Sequence, residues 1–439
     1  MSIKDLLNWN LVKTFLGTFI VRILAVGATF ASSVLLARSL GVEGFGTYSY
    51  VFALVSLLAL PAQAGMPTLV LRETAKAKAL SDWSKMKGIW LWSGSAVMMI
   101  SLITYSVALL VQKLFFDEAI QQAGGTSIFA LGLITALLIA MGNVRGAALR
   151  GLGFVVMGQL PEALIRPLLL VIFLLIAILV NVESNPNSAM KIHLFAAAVA
   201  FLIGAWLLIK VKPTELKEVK PDIHMKVWFF SIIPLAMMTG MQVVSGQIDI
   251  VMLGLLGTLH DVGVYKVVVS GAALTLFGLQ VVTMIITPKL ASAFAKKDSK
   301  RVQQIASVGS LISFSFTLPL VLVFFFFGAE ILRFVFGDDF ILGHRALYII
   351  AIGQAINAFF GSSISILTMS NNERFVIKGM ILSALSNAIL NLCLIPRLGV
   401  DGAAISASMS IVVWNLYLWA AIKRQIGVDS TFFWIFMRK

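Results

Sequence analysis

The sequence predicts an all-α integral membrane protein with about twelve transmembrane helices in two six-helix lobes. Three observations predict it. Hydrophobic residues make up 59% of the 439 residues and charged residues only 12%, about half the charged share of a soluble domain. The mean hydropathy is +0.96, a value that no water-facing surface carries. Apolar runs long enough to cross a bilayer, roughly 20 residues each, recur along the whole chain.

In chain order the runs predict spans at 14–37, 46–70, 88–111, 127–149, 157–180, 191–210, 227–256, 263–287, 304–327, 345–369, 375–396 and 401–422. The first follows a polar, amphipathic segment, Met1–Lys13, and is too long for the apolar core of a cleavable signal. The run 227–256 is long, and Pro234 and Gly240 mark where it would bend or break. The short run Phe432–Met437 cannot cross. It reads as an interfacial anchor with Trp434 at headgroup depth and Arg438 and Lys439 on lipid phosphate. The charged stretch Lys210–Lys226 is the longest polar connector. It divides the chain into an N-terminal lobe (1–210), a cytoplasmic linker (211–226), a C-terminal lobe (227–422) and a tail (423–439).

The net charge is +14. Nucleic acid is not the implied partner, because the cations sit in short clusters between apolar runs. With twelve spans, 25 of the 34 basic residues fall on the side of the N-terminus. Seven (Arg38, Lys113, Lys191, Lys266, Arg333, Arg345 and Arg397) fall on the other, and Arg22 and Arg166 lie inside spans. The positive-inside rule then puts both termini in the cytoplasm.

No enzyme signature is present. There is no P-loop, and Gly151, Gly153 and Gly158 are spaced wrongly for a dinucleotide fingerprint. The single cysteine, Cys393, excludes a disulfide framework and a thiolate metal site. The four histidines (His193, His224, His260 and His344) lie near loops without paired spacing, so no metal or other cofactor is expected. Outer segments are short, and their acids (Glu43, Asp117, Glu118, Asp261, Glu330, Asp338, Asp339, Asp401) read as solvated loop charges.

Four ionisable residues fall inside the spans: Arg22, Glu162, Arg166 and Asp249. An arginine at mid-bilayer costs roughly 2.5–3.5 kcal/mol on insertion scales, so each should face a cavity or a partner. Glu162 and Arg166 are four apart, share a helix face and can pair; Pro161 and Pro167 flank them. Each charge lies on a polar stripe: Thr18, Arg22 and Thr29; Gln159, Glu162 and Arg166; Gln242, Ser245 and Asp249. Uncharged stripes recur at Gln280, Thr283 and Thr287, at Gln354, Asn357 and Thr368, and at Ser383, Asn387 and Asn391. Two readings stand for them: hydrogen bonds between packed helices, or the lining of a hydrophilic lumen.

The halves share a weak repeat. Gly46-Thr-Tyr48 opens the second span and Gly263-Val-Tyr265 opens the eighth, 217 residues later. Six spans per half relates the repeats by an axis along the membrane normal, the usual basis of a two-lobed transporter with a central cleft.

Several stretches together resemble the polysaccharide transport, or oligosaccharide flippase, family. This is the Wzx-like branch of the multidrug/oligosaccharidyl-lipid/polysaccharide exporter superfamily, which also holds the MATE exporters and the lipid II flippase. They are Leu36-Ala37-Arg38-Ser39-Leu40-Gly41 through Gly46-Thr47-Tyr48; Gly65-Met66 with Arg72-Glu73; Asp249 through Gly263-Val264-Tyr265; Pro288-Lys289-Leu290; and Asn387 through Asn391 with Leu394-Ile395-Pro396, Leu398-Gly399 and Gly402-Ala403-Ala404. Their glycines read as tight turns and close helix approaches, not as ligands. The resemblance implies a MATE-like fold and, in some relatives, fourteen spans. It also implies a flippase of undecaprenyl-pyrophosphate-linked oligosaccharide in the bacterial cytoplasmic membrane, working by alternating access. The implied cargo is an O-antigen, capsule or exopolysaccharide repeat.

On that reading Arg22 and Arg166, with Arg145 and Arg150 at the cytoplasmic rim, would attract the pyrophosphate. Asp249 and Glu162 are the candidates for a coupled proton or Na⁺. Implied partners are the lipid-linked oligosaccharide, the bilayer, and a polymerase and chain-length regulator of polysaccharide assembly, with the chain itself a monomer. Two alternatives stay open: a MATE-like proton- or sodium-coupled exporter of small molecules, and a membrane enzyme of glycan assembly.

Overall fold

A computed structural model describes residues 9–115 and 125–436. Lys4, Asp117, Glu118 and Met437 to Lys439, which enter the reading above, lie outside the described residues. Among the described residues there are helices and turns and no strand. The helices are α1 (9–40), α2 (42–58, continuing through Leu60–Gln63 and Met66–Ala79), α3 (Trp83–Phe115), α4 (Gly125–Gly151), α5 (155–179), α6 (Pro186–Val211), α7 (Met225–Leu256), α8 (259–295), α9 (Ser299–Val335), α10 (344–369), α11 (373–398), α12 (400–426) and the short α13 (Phe433–Phe436). Ten stretches are long and apolar enough to cross a membrane. Two of these are helix pairs joined at a glycine, Gly41 (φ 68°) and Gly399 (φ 52°). Glycine alone enters that region at no steric cost, so these two residues turn two long helices into four spans.

The surface suits hydrocarbon. Phe325, Phe326 and Phe327 are 55%, 66% and 58% exposed, which in water would be an aggregation site. Polar caps mark helix starts. Asn185 accepts from the backbone of Ser188 ahead of α6, with Pro186 at the first helical position. Thr258 and Asp261 form a reciprocal capping box on α8.

Two compact units emerge. One holds 9–40 and 51–243, the other 41–50 and 244–436 among the described residues. The division therefore falls inside α7 rather than at the charged linker. Trp228, Ile232 and Leu235 of α7 pack in the first unit with Ala62, Met66, Ile89 and Val97. The cause is local: a Cβ at Gly65 would collide with the backbone of Ile232, Leu235 and Ala236, and the Gly65 N–H donates to Thr239 Oγ1 at 2.8 Å. Pro234 is absorbed without a break, and α7 is one continuous helix.

The linker is also docked on the first unit. Leu216 is buried with Ala77, Met86 and Leu152. Lys87 Nζ donates to the Val219 carbonyl at 2.8 Å, and Asp222 N to the Ser84 carbonyl at 3.0 Å. On the same two helices, α2 and α3, Glu73 is buried against Arg72 (3.0 Å), Lys85 (3.5 Å) and Lys76 (3.6 Å). Burial alone would raise its carboxyl pKa; Lys76, Lys85 and Arg72 together outweigh that and hold it below the ordinary value.

In the second unit the Gly46 and Gly263 motifs meet. A Cβ at Gly46 would overlap the Leu259 carbonyl, and one at Gly263 would overlap the Val42 carbonyl. Leu259 lies 217 residues after Val42, as Gly263 does after Gly46. The same contact is thus made twice with the roles exchanged, which gives the sequence repeat its physical cause.

The described part of the tail packs on the protein. Gln303 and Asp429 exchange two hydrogen bonds, Nε2 to the carbonyl (2.6 Å) and N–H to Oε1 (2.7 Å). Phe432 meets Phe314 at a tilt and Phe359 edge-on, and Phe433 meets Phe359 edge-on.

Candidate functional site

The in-span charges fall into two clusters, one in each unit. The first is built on α4, α5 and α6. Pro161–Ile165 of α5 form a π-helical turn, a feature frequent at functional sites. It presents Glu162 toward α4 and α6. Glu162 Oε1 lies 3.4 Å from Arg145 Nη2, and Oε2 lies 3.4 Å from Arg166 Nε. The side chains of Arg145, Glu162 and Arg166 are 7%, 11% and 22% exposed. Small residues make the room: a Cβ at Gly142 would strike the Glu162 carboxylate, and one at Gly204 the Arg145 guanidinium. Arg145 also donates to the Phe201 carbonyl and lies over the Phe201 ring. Arg166 Nη1 donates to His193 Nε2 at 3.0 Å; a guanidinium can only donate, so that nitrogen is the acceptor. Phe52 stacks on the same imidazole at 5.1 Å.

One carboxylate between two guanidiniums leaves this cluster with a formal excess of one positive charge. It is also under-satisfied: Arg145 Nε, Arg166 Nε and Glu162 Oε2 are buried without a hydrogen bond. The Arg166–Glu162 approach is within ion-pair range but is not aligned as a hydrogen bond.

The second cluster is built on α7, α8 and α11. Asp249 Oδ1 accepts from Asn391 Nδ2 (2.7 Å) and Asn387 Nδ2 (2.9 Å), and Oδ2 from the Tyr265 hydroxyl (3.0 Å). Asn391 also donates to Asn387 Oδ1 at 3.0 Å, while its own Oδ1 is buried and unpartnered. Asn387, Asn391 and Tyr265 are 5%, 0% and 1% exposed. Among the described residues no ion pair reaches Asp249. The carboxylate is satisfied by neutral donors alone, and it borders a cavity of about 220 Å³ whose polar lining includes Ser245, Gln354, Ser383, Asn387 and Ser410.

The remaining residues stand apart. Arg22 is exposed on α1 beside Ile20, Ile23 and Leu24 (53%, 41% and 51% exposed). Among the described residues it has no acidic partner. Arg150 is half-buried, its Nε donating to the Gly146 carbonyl at 3.3 Å. Arg145, expected at the cytoplasmic rim, is buried in the protein, where Gly204 and the Phe201 carbonyl receive it. Lys266, counted with the outer loops, lies inside α8. Several stripes resolve as bonds between helices: Thr283 to Ser362 (2.6 Å), Thr287 to Ser365 (3.0 Å), Ser383 to the Ser410 carbonyl (3.2 Å) and Asn415 to Asn357 (3.1 Å).

Two members were missed in the sequence. His193 read as a loop histidine and carried no signal of its own. Tyr265 read only as part of a turn motif. It lies eight residues after Gly257 and Asp249 eight before, so an antiparallel helix pair sets them side by side.

A family model described as polysaccharide biosynthesis protein matches residues 11–288. The chain belongs to that family. A second model, MatE, matches residues 234–393. Over 411 residues the chain is 26% identical to a probable low-salt glycan biosynthesis flippase, Agl15, of Haloferax volcanii, covering 92% of this chain and 82% of that protein. Among solved structures it is similar to the lipid II flippase MurJ in an inward closed conformation, with TM-score 0.74 and 14% identity over 94% of this chain and 87% of that one. It is also similar to an inward-facing multidrug resistance MATE family transporter of the MOP superfamily, with TM-score 0.73 and 15% identity over 93% and 99%. The fold of this family member is therefore MATE-like, and the proteins it is similar to are flippases and transporters rather than enzymes.

Proposed function

We propose that this protein is a cation-coupled flippase that carries undecaprenyl-pyrophosphate-linked oligosaccharide units from the inner to the outer leaflet of a bacterial cytoplasmic membrane, with both termini in the cytoplasm. The observation that carries the coupling is Asp249, a buried carboxylate with three neutral donors and no cation. Such a group takes up a proton or Na⁺ at little rearrangement and loses it when its surroundings change. The glycan relative described as a flippase supports the cargo class, and the excess cation around Glu162 and the lone Arg22 suit an anion. The membrane potential adds roughly 2.3 kcal/mol per uncompensated negative charge per 100 mV to export.

In cells lacking the chromosomal gene, the wild-type chain should restore surface polysaccharide. Arg22→Ala and Asp249→Asn should not, at equal protein level. Reconstituted transport should respond to a proton or Na⁺ gradient in the wild type and lose that response in Asp249→Asn. Wild-type polysaccharide from both variants would overturn the reading. A second reading, an ion-coupled exporter of small molecules, draws on the MatE match across 234–393. It would be favoured if Asp249→Asn abolished drug efflux and left polysaccharide intact.

A further inference from the structure

A groove of about 470 Å³ runs between the second half of α8 and the first half of α9, and shares no lining residue with either charged cluster. Its walls are apolar: Val281 and Ile285 on α8, Ile305, Val308, Ile312 and Phe316 on α9. One end is basic, formed by Lys289 and Arg301 with Gln304 beside them. Ile285, Val308, Ile312 and Phe316 are 43%, 49%, 42% and 64% exposed, so the groove is open along its length. Gly309 forms part of the floor, where a Cβ would press to 2.9 Å on Ile286 Cδ1.

We propose that this groove seats one acyl chain of an anionic glycerophospholipid, with its phosphate on Lys289 and Arg301. Charge argues for the anion. Both cations are exposed, and among the described residues neither has an acidic partner. The acid in the intervening turn, Asp298, is already used to cap α9 through the Arg301 N–H at 2.9 Å. Lys296, Lys297 and Lys300 in the same turn add to the local positive potential. Length argues for a phospholipid rather than a polyprenyl carrier. Arg301 to Phe316 spans fifteen residues, about 22 Å at ~1.5 Å per residue. That is about one and a half times one leaflet of a hydrocarbon core about 30 Å thick, long enough for one extended acyl chain and too short for a chain of many isoprene units. The lipid would pin the α8–α9 turn to the headgroup layer. The inference does not depend on the transport reading, and its readout is binding.

The test uses the full chain in nanodiscs containing phosphatidylglycerol with a photoactivatable group on one acyl chain, and peptide mapping of the adducts. Adducts should concentrate in 281–286 and 305–316 and should be displaced by unlabelled phosphatidylglycerol but not by phosphatidylcholine. Lys289→Gln with Arg301→Gln should weaken the competition about thirty-fold, at about fivefold per cation. Ile312→Trp should block the groove and remove the adducts with both charges in place. All three positions are exposed, so an unchanged thermal midpoint checks the fold. Equal labelling by a phosphatidylcholine probe, or labelling indifferent to the charge variants, would reduce the groove to ordinary lipid contact. Displacement by a polyprenyl phosphate but not by phosphatidylglycerol would give it to the carrier instead. Either result overturns the proposal.

Discussion

Glu162 is the one acid between a buried and a partly buried guanidinium, so its charge is what allows Arg145 to be buried at all. Removing one member of a buried ion pair costs about 3–5 kcal/mol, because the charge left behind has no partner. Glu162→Gln should therefore lower the unfolding midpoint of the purified protein sharply, and Glu162→Gln with Arg145→Met should recover part of the loss. A wild-type midpoint in the single variant would mean that water already screens the cluster. Asp249 differs: its donors are neutral, so Asp249→Asn keeps most of its hydrogen bonds and should cost only about 1 kcal/mol while removing the ionisable group. The in-span charges were legible in the sequence because hydrocarbon makes them costly. Their partners were not. Arg145 lies near the end of an apolar run and reads as a rim residue until Gly204 and the Phe201 carbonyl are seen to receive it. His193 has no spacing that predicts Arg166 as its neighbour.

Among the helices, the closest approaches depend on glycine. Gly46 and Gly263 let backbone pass against backbone in the second unit, and no rearrangement of a flexible side chain could relieve the overlap that a Cβ would cause there. Gly46→Val and Gly263→Val should each reduce folded protein in membranes, as measured by detergent-stable monodisperse yield, whereas Gly27→Ala on α1, which meets nothing within 4 Å, should not. The spans themselves were legible, since the bilayer imposes both length and polarity on them. The assignment of the first half of α7 to the first unit was not, because it rests on a left-handed Gly65 that only the folded chain brings against Leu235 and Ala236. The two helices that hold the linker have their own signature. Glu73 holds a carboxyl pKa below its ordinary 4.5. Its stabilising contribution is therefore complete above pH 4.5 and is lost as the pH falls through the lower folded-state value. Acidification below pH 4.5 should expose the 210–226 segment to limited proteolysis in the wild type, and Glu73→Gln should show that exposure already at neutral pH. Protection of the segment in Glu73→Gln at neutral pH would count against the network.

For the whole molecule, orientation decides what every charge can mean. Setting Arg145 and Lys266 aside, because Arg145 is buried and Lys266 lies well inside its helix, changes the count of basic residues at the two ends from 25 and 7 to 24 and 6 among the 34. The asymmetry persists, and on the proposed topology the linker and both termini face the cytoplasm. A cysteine scan can check it, since Cys393 is the single native thiol and can first be changed to serine. Glu183 in the α5–α6 turn and Glu218 in the linker are both exposed, so neither replacement by cysteine should disturb packing. A membrane-impermeant maleimide should label Glu183→Cys in intact cells and Glu218→Cys only after permeabilisation. The reverse pattern would place the cationic end outside. Export of an anionic lipid-linked glycan would then begin at the poorly charged end, and the groove at Lys289 and Arg301 would face the outer leaflet. The labelling result therefore constrains the direction of transport as well as the topology.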